Sequence, residues 1–224
     1  EKSKTPRRET ERGDYSIHFS EEGFASIKQI SSGEIMHSVS NPDEEARRIY
    51  VDQSRIVERA KMSEAERGPN IVVWDVGLGA AHNAMALVRE YEAIEGQKRP
   101  LHIVSFEVDF DPLKLALKHP SYFKHLRHAG PKSLLDTGRF ERDGILWELI
   151  KGDFFETMKQ APAPDVIFFD PFSYKTDSKL WTLECFEKLR ARIGDRECQL
   201  FTYTNSTAVR AGLLAAGFVV AKGV

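Results

Sequence analysis

From Gly68-Pro69 onward the chain alternates short, unbroken apolar runs with longer segments in which apolar residues recur every three or four positions. Short apolar runs bounded by turn-formers fit strands buried on both faces, and the amphipathic stretches between them fit crossover helices. The pattern therefore predicts a parallel sheet covered by helices. Strands are predicted at IVVWDV (71–76), LHIVSFE (101–107), ILWELIK (145–151), DVIFFD (165–170), CQLFTYT (198–204) and FVVAKGV (218–224). Helices are predicted over 82–94, 111–118, 178–192 and 206–216, with shorter pieces between 120 and 140 and near 154–160. The fold class expected is α/β, a doubly wound and mostly parallel sheet.

Upstream the period changes. Between Tyr15 and His37 the runs YSIHF, ASIKQI and EIMHS alternate apolar with polar residues and are separated by EEG and SSG, which predicts a small antiparallel β-meander. Asn41-Pro42-Asp43 then opens a helix, with Asn41 as N-cap and Pro42 in its first position. Ala46, Ile49, Tyr50 and Ile56 supply its apolar stripe, and it ends near Gly68-Pro69. Residues 1–14 are almost wholly polar and are expected to be a flexible lead-in. The division expected is thus a lead-in (1–14), a meander-and-helix appendage (15–68) and a main domain (69–224).

Composition narrows the class. A chain of 224 residues, 41% hydrophobic and 29% charged, has the balance of one soluble globular domain with small additions. With 32 Lys plus Arg against 34 Asp plus Glu, no global positive charge attracts nucleic acid. Any such partner must be held by a local patch. One candidate runs from Pro112 to Lys132, where Lys114, Lys118, Lys124, Arg127 and Lys132 gather with His119, His125 and His128 and no acidic residue intervenes. Cys185 and Cys198 have neither metal-ligand spacing nor the density of a disulfide scaffold, and His18 and His37 have no ligand partners at useful spacing. No metal is expected. With no signal peptide or membrane span in the pattern, the expected location is cytoplasmic, although the chain opens at Glu1 rather than Met and leaves an upstream segment open.

Candidate chemistry collects where strands end. The first strand of the main domain runs into Asp75-Val76-Gly77-Leu78-Gly79-Ala80-Ala81-His82-Asn83 and then a helix. Glycines at such a turn admit a ligand close to the backbone, and the helix start offers free N–H groups. The dinucleotide fingerprint wants a third glycine where His82 stands, so a pyrophosphate is not the natural ligand. An acid followed by Gly-x-Gly suits instead a ligand with an amino-acid moiety, with Asp75 facing its ammonium group directly or through water and Gly77 and Gly79 clearing space. Glu107, at the end of the second strand, is placed to accept hydrogen bonds from ribose hydroxyls, whereas Asp109 is read as a helix cap. Asp153, after the third strand, is placed to accept from an adenine amino group or to cap the next helix. Asp170 leaves the fourth strand directly before Pro171-Phe172-Ser173, at the same edge and beside an aromatic wall, and is the candidate catalytic residue. Phe172, Ser173 and Lys175 are the candidate substrate contacts.

These pieces together resemble a known family: the methyltransferase domain of the bacterial enzyme that completes 5-methylaminomethyl-2-thiouridine at the tRNA wobble position, and its stand-alone relatives. The resemblance is carried by DYSIHFSEEGFASIKQ, EIMHS, DVGLGAAHN, FEVD, KGDFFE, VIFFDPFSYKTDSKLWT and TYTNSTAVRAGLLAAGFVV, in order across most of residues 14–224. It implies a Rossmann-like class I methyltransferase sheet, S-adenosyl-L-methionine as donor, tRNA as partner, and methylation of the aminomethyl group of the modified uridine. It carries Gly77, Gly79, Asn83, Glu107 and Asp153 over as donor contacts and Asp170 as the acid facing the amine. Departures stand at Ala80 and Ala81, where the family commonly has Thr/Ser-Gly, and at Tyr174, where it often has Pro. No segment matches the flavin-dependent oxidase domain of the two-domain enzyme, so a stand-alone type is expected. Val224 falls where such a sheet usually turns back with one more strand, which leaves C-terminal truncation open. Three other readings compete: a methyltransferase acting on a small amine or another nucleic acid, a nicotinamide-dependent oxidoreductase, and a non-catalytic nucleoside-binding module.

Overall fold

The computed structural model describes residues 10–36, 40–63 and 68–223. A six-stranded sheet forms the main body: β4 (Ile71–Val76), β5 (Leu101–Glu107), β6 (Arg139–Arg142), β7 (Ile145–Lys151), β8 (Val166–Phe169) and β9 (Gln199–Phe201), in the order β6-β7-β5-β4-β8-β9. Every pairing is parallel except β6 with β7. After β4 the chain builds outward through β5 and β7, then returns to the other side of β4 as β8. That reversal opens a crevice at the carboxyl ends of β4 and β8, the place where open α/β sheets receive ligands.

The strand period of two divides the core. In β4, Ile71 and Val73 join the apolar cluster on one face, while Val72, Trp74 and Val76 join the cluster on the other. The first face is covered by α1 (Pro42–Ala46), α2 (Ile56–Lys61), α3 (His82–Glu92), α4 (Asp111–Leu117) and α5 (Ala129–Thr137). The second is covered by α6 (Phe154–Thr157), α7 (Leu183–Ile193) and α8 (Thr207–Ala215), and packs Trp74, Phe106, Phe154 and Phe169 edge to face. Cys185 is buried within it, which pushes its thiol up to about 12; Cys198 is half-buried.

Several expectations need correction. Glu11–Arg12 is not a lead-in but β1, pairing with β2 (Tyr15–Phe19), which pairs in turn with β3 (Ala25–Gln29). The Arg12 guanidinium is held by Asp111, 2.7 Å away, which gives this polar stretch a fixed place. The predicted third meander strand reduces to a bridge between Lys28 and Ile35, and His37 lies outside the described residues. Asn41 does cap α1, accepting from the Asp43 and Glu44 N–H groups, but the helix passes into a π-helical turn (Arg47–Asp52) and stops where Arg55 turns left-handed. The Ser54 hydroxyl donates to the Val51 carbonyl there, competing with the helical ladder. The helix expected from 178 begins with a 3-10 turn (Ser178–Trp181), because Thr182 caps α7 from outside.

β6 was not anticipated. It turns into β7 through Asp143-Gly144, both with positive φ, the conformation of a tight hairpin. The strand expected over 218–224 does not form among the described residues. Phe218 and Val220 pack instead onto the second apolar face, and Val219 stands 98% exposed. Among the described residues no helix is long and apolar enough to cross a membrane.

Candidate active site

A cavity of about 760 Å³ opens at the carboxyl edge of the sheet, and loops after four strands furnish it. Gly77, Leu78, Gly79 and Ala80 follow β4; Glu107 and Asp109 follow β5; Gly152 and Asp153 follow β7; Asp170, Pro171 and Phe172 follow β8. The β-meander closes it from above with Tyr15, Gln29, Glu34 and Met36.

The glycine turn fits tightly against its neighbours. Gly77 has φ +88°, and a Cβ there would lie 2.6 Å from the Asp170 carbonyl oxygen. The Gly79 N–H donates to Glu107 Oε2 at 3.0 Å, while the Val108 and Asp109 N–H groups donate to Oε1. Burial raises the Glu107 carboxyl above its ordinary range even though these three N–H groups pull the other way. Glu107 thus ties the β4 turn to the β5 turn while still lining the cavity.

Asp153 serves two neighbours. Its Oδ1 accepts from the Phe155 N–H and caps α6, and its Oδ2 takes the Lys179 ammonium at 2.8 Å. Asp75 lies elsewhere than expected: it is 1% exposed, does not line the cavity, and accepts from the Ser105 hydroxyl at 2.6 Å, which itself accepts from Trp147 Nε1. It underpins the glycine turn from within the core. Asn83, also buried, donates from Nδ2 to Asp170 Oδ2 at 2.6 Å.

Around Asp170 the surroundings are acidic and phenolic, with Tyr203 in the cavity lining and Tyr50 buried behind it. Burial, and then the Asp170 charge, raise the pKa of Tyr50 and Tyr203 above the ordinary phenol range. The Tyr50 hydroxyl is wholly buried, close enough to Asp170 for the carboxylate to act on it. Tyr203 donates to the Pro171 carbonyl at 3.2 Å. Glu34 reaches down from the meander and accepts from the Ser173 N–H (2.7 Å), the Ser173 hydroxyl (3.0 Å) and the Thr176 hydroxyl (2.9 Å). Asp177 completes the acidic wall; burial, reinforced by the charges of Glu34 and Asp153, lifts its carboxyl to about 6.

Of the predicted residues, Gly77, Gly79, Glu107, Asp153, Asp170 and Phe172 line one cavity. Ser173 is taken up by Glu34, and Lys175 is exposed outside the lining. Glu34, Tyr50, Asp177 and Tyr203 were missed. Tyr50 gave a helical-stripe signal, and Glu34 none, because its role depends on a contact spanning 139 positions.

Comparison with known proteins agrees with this geometry. Residues 118–224 match the model of a family described as S-adenosyl-L-methionine-dependent methyltransferase. The tRNA 5-methylaminomethyl-2-thiouridine biosynthesis bifunctional protein MnmC of Ectopseudomonas mendocina is 30% identical over 207 residues, 86% of this chain. The protein of the same name from Aeromonas hydrophila is 28% identical over 85% of the chain. The chain spans about 30% of the length of each. Among solved structures, MNMC2 from Aquifex aeolicus superposes with a TM-score of 0.73 at 23% identity, covering 96% of this chain and 68% of that one, and bears out the fold. The cavity presents glycine backbone at the first strand end and acids at the ends of the next two strands around it. Residues 118–224 thus match an S-adenosyl-L-methionine-dependent methyltransferase family, and most of the chain is similar to one portion of the MnmC proteins.

Proposed function

We propose that the chain methylates the primary amine of 5-aminomethyl-(2-thio)uridine at the wobble position of tRNA, giving the 5-methylaminomethyl nucleoside, and that it does so in the cytoplasm. The observation that supports this reading is one cavity lined by Asp170, Glu34 and Asp177 together with Gly77, Gly79, Glu107 and Asp153. Three carboxyl groups match an aminomethyl cation, and the names of the relatives supply the nucleoside.

S-adenosylmethionine supplies a methyl group on a sulfonium centre. The chain's own part is to hold and orient the amine. Gly77 and Gly79 would admit the donor to the backbone, Glu107 would accept from the ribose hydroxyls, and Asp153 from the adenine amino group. Asp75 would act from behind the turn, and Asn83 would act on Asp170 rather than on the donor. Asp170, fixed by Asn83, accepts a hydrogen bond from the amine and aligns its lone pair for in-line displacement, the step in which positioning contributes most. The amine must be neutral to attack. A carboxylate with a pKa near its usual value of about 4 is a weak base toward an ammonium, so a group lifted to about 6, as Asp177 is, suits proton removal better. Lys114, Lys118, Lys124, Arg127 and Lys132 are exposed and would meet tRNA phosphates.

The test is transfer of labelled methyl from S-adenosylmethionine to bulk tRNA from cells lacking this protein, followed by nucleoside analysis. Label in 5-methylaminomethyl-uridine is the expected result. No incorporation, with donor binding intact, would redirect the reading to another amine acceptor.

A further inference from the structure

Below the glycine turn, away from the acidic wall, the fold brings together three side chains that sequence spacing kept apart. Asp43 comes from the first turn of α1, His82 is the first residue of α3, and His125 sits in the 3-10 turn Lys124–Arg127. His82 and His125 are 6% and 2% exposed. His82 Nδ1 lies 3.0 Å and His125 Nδ1 3.6 Å from the same oxygen, Asp43 Oδ1, and one ligand atom from each residue lies within 4.8 Å of the others.

The tautomer of His125 decides what this trio holds. Its Nε2 is 2.8 Å from the Ala80 carbonyl, which can only accept, so Nε2 carries the proton. In a neutral ring Nδ1 is then a lone pair directed at a carboxylate oxygen, and two acceptors face each other. A positive charge between them, whether a proton or a metal ion, would turn that opposition into attraction. A proton would make His125 an imidazolium with almost no access to water and with the His82 ring centroid 3.9 Å away, an arrangement that burial disfavours. Arg89 serves the other carboxylate oxygen of Asp43 at 3.3 Å.

We propose that Asp43, His82 and His125 bind a divalent transition-metal ion of the zinc class. Two imidazoles and a carboxylate are a donor set that zinc accepts, and a histidine whose outer nitrogen donates to a backbone carbonyl has the orientation that metal-bound histidines adopt. With metal–ligand bonds of about 2.0–2.1 Å, neighbouring ligands of a tetrahedral ion stand about 3.3 Å apart, and the observed 3.0 and 3.6 Å straddle that value. The three residues do not line the cavity, so the ion's role is structural. It fastens α1 of the appendage to the start of α3 and, through the His125–Ala80 bond, to the turn expected to receive the donor.

The experiment is metal analysis of tag-free protein stripped with chelator and reloaded with Zn²⁺ or Co²⁺, then passed through gel filtration. One ion per chain is expected, with the visible absorption of tetrahedral Co²⁺ and a melting temperature that rises with free Zn²⁺. His125→Gln and Asp43→Asn should each lose the stoichiometric ion while keeping the wild-type far-ultraviolet circular dichroism. Should either variant fail to fold, the Co²⁺ spectrum and Zn²⁺-dependent melting of the wild-type chain still decide. A wild-type chain that retains no more ion than the His125→Gln background, with melting indifferent to Zn²⁺, overturns the proposal and assigns the trio a proton.

Discussion

Asn83 donates to Asp170 at 2.6 Å across 87 positions of sequence, joining the first turn of α3 to the end of β8. The bond fixes the orientation of the Asp170 carboxylate at the cavity wall. Asp170→Ala is expected to lower kcat by at least about 10²-fold, in the range of a lost general base or orienting acid, while leaving donor affinity within a few-fold. Asn83→Ala should keep donor affinity as well and lower kcat by about 10-fold or more. Isothermal titration with S-adenosylmethionine beside single-turnover kinetics separates the two effects; a large loss of donor affinity in Asn83→Ala would return this residue to the donor site.

Glu34 ties the N-terminal meander region to the loop that follows β8. Its carboxylate accepts three hydrogen bonds from Ser173 and Thr176, each to a charged acceptor and half-buried. Removing it leaves those donors to water or unpaired, at a cost of about 1–3 kcal/mol, so Glu34→Ala should lower the denaturation midpoint and raise KM for the nucleic-acid substrate. Glu34→Gln, which keeps an acceptor oxygen, should recover most of the stability. Equilibrium unfolding of both variants with steady-state kinetics measures this, and unchanged stability in Glu34→Ala would show that the loop holds itself.

Much of this arrangement was legible in the sequence, and the reasons for the remainder are specific. The buried strands from Ile71 to Phe169 announced themselves because parallel strands need apolar residues on both faces, and their ends marked the cavity. Gly77 and Gly79 were legible because a turn with positive φ that also meets backbone admits little else. The burial of Asp75 was not legible, because an acid at a strand end looks the same whether it lines a cavity or, as here, meets a serine hydroxyl in the core. β6 was overlooked although Asp143-Gly144 is a hairpin signal, because RFER carries only one apolar residue. Glu34 and Asp177 draw their properties from neighbours far along the chain, which no local pattern encodes.

Asp177 should give the protein a pH-dependent stability of definite sign. Its carboxyl is raised in the folded state from 3.8 to about 6, so the folded chain holds this proton more tightly than the unfolded one. Folding is therefore favoured at low pH by this group, and the benefit is lost as pH rises between about 3.8 and about 6. Asp177→Asn should flatten that part of the stability curve and stabilise the protein above pH 6. If Asp177 takes the proton from the amine, the same variant should also remove an ionisation from the acid limb of kcat against pH. Chemical denaturation at a series of pH values reads the first effect independently of the second.

The glycine turn offers a contrast between two neighbours. Gly77→Ala places a methyl 2.6 Å from the Asp170 carbonyl at φ +88°, so it must displace β8 or the turn itself. A stability loss of about 2 kcal/mol or more is expected, together with weakened donor binding. Ala81 already holds φ +63° as a non-glycine residue, a conformation that costs about 1–2 kcal/mol. Ala81→Gly relieves that strain but loses a buried methyl worth about 0.8 kcal/mol and adds freedom to the unfolded chain of about 0.4–1 kcal/mol. The terms nearly cancel, so Ala81→Gly should lie within about 1 kcal/mol of wild type, as urea titration of both variants would show.

The basic stretch from Pro112 to Lys132 divides on inspection into two kinds of residue. His125 is buried against Ala80, and His128 caps α5 by accepting from the Gly130 N–H while its other nitrogen meets Glu92, so these histidines belong to the fold. Lys114, Lys118, Lys124 and Arg127 project outward from α4 and the following turn. Phosphate contacts made by such residues weaken with salt in proportion to their number, and each lost contact lowers the slope of log affinity against log salt by about 1. Reversing Lys114, Lys118 and Lys124 to Glu together should weaken tRNA binding uniformly across tRNA sequences and flatten that slope by about 3 if all three touch phosphate. Donor affinity should not change, since none of the three lines the cavity. Filter binding over a series of salt concentrations gives the slope directly, and an unaltered slope would place the tRNA on another face.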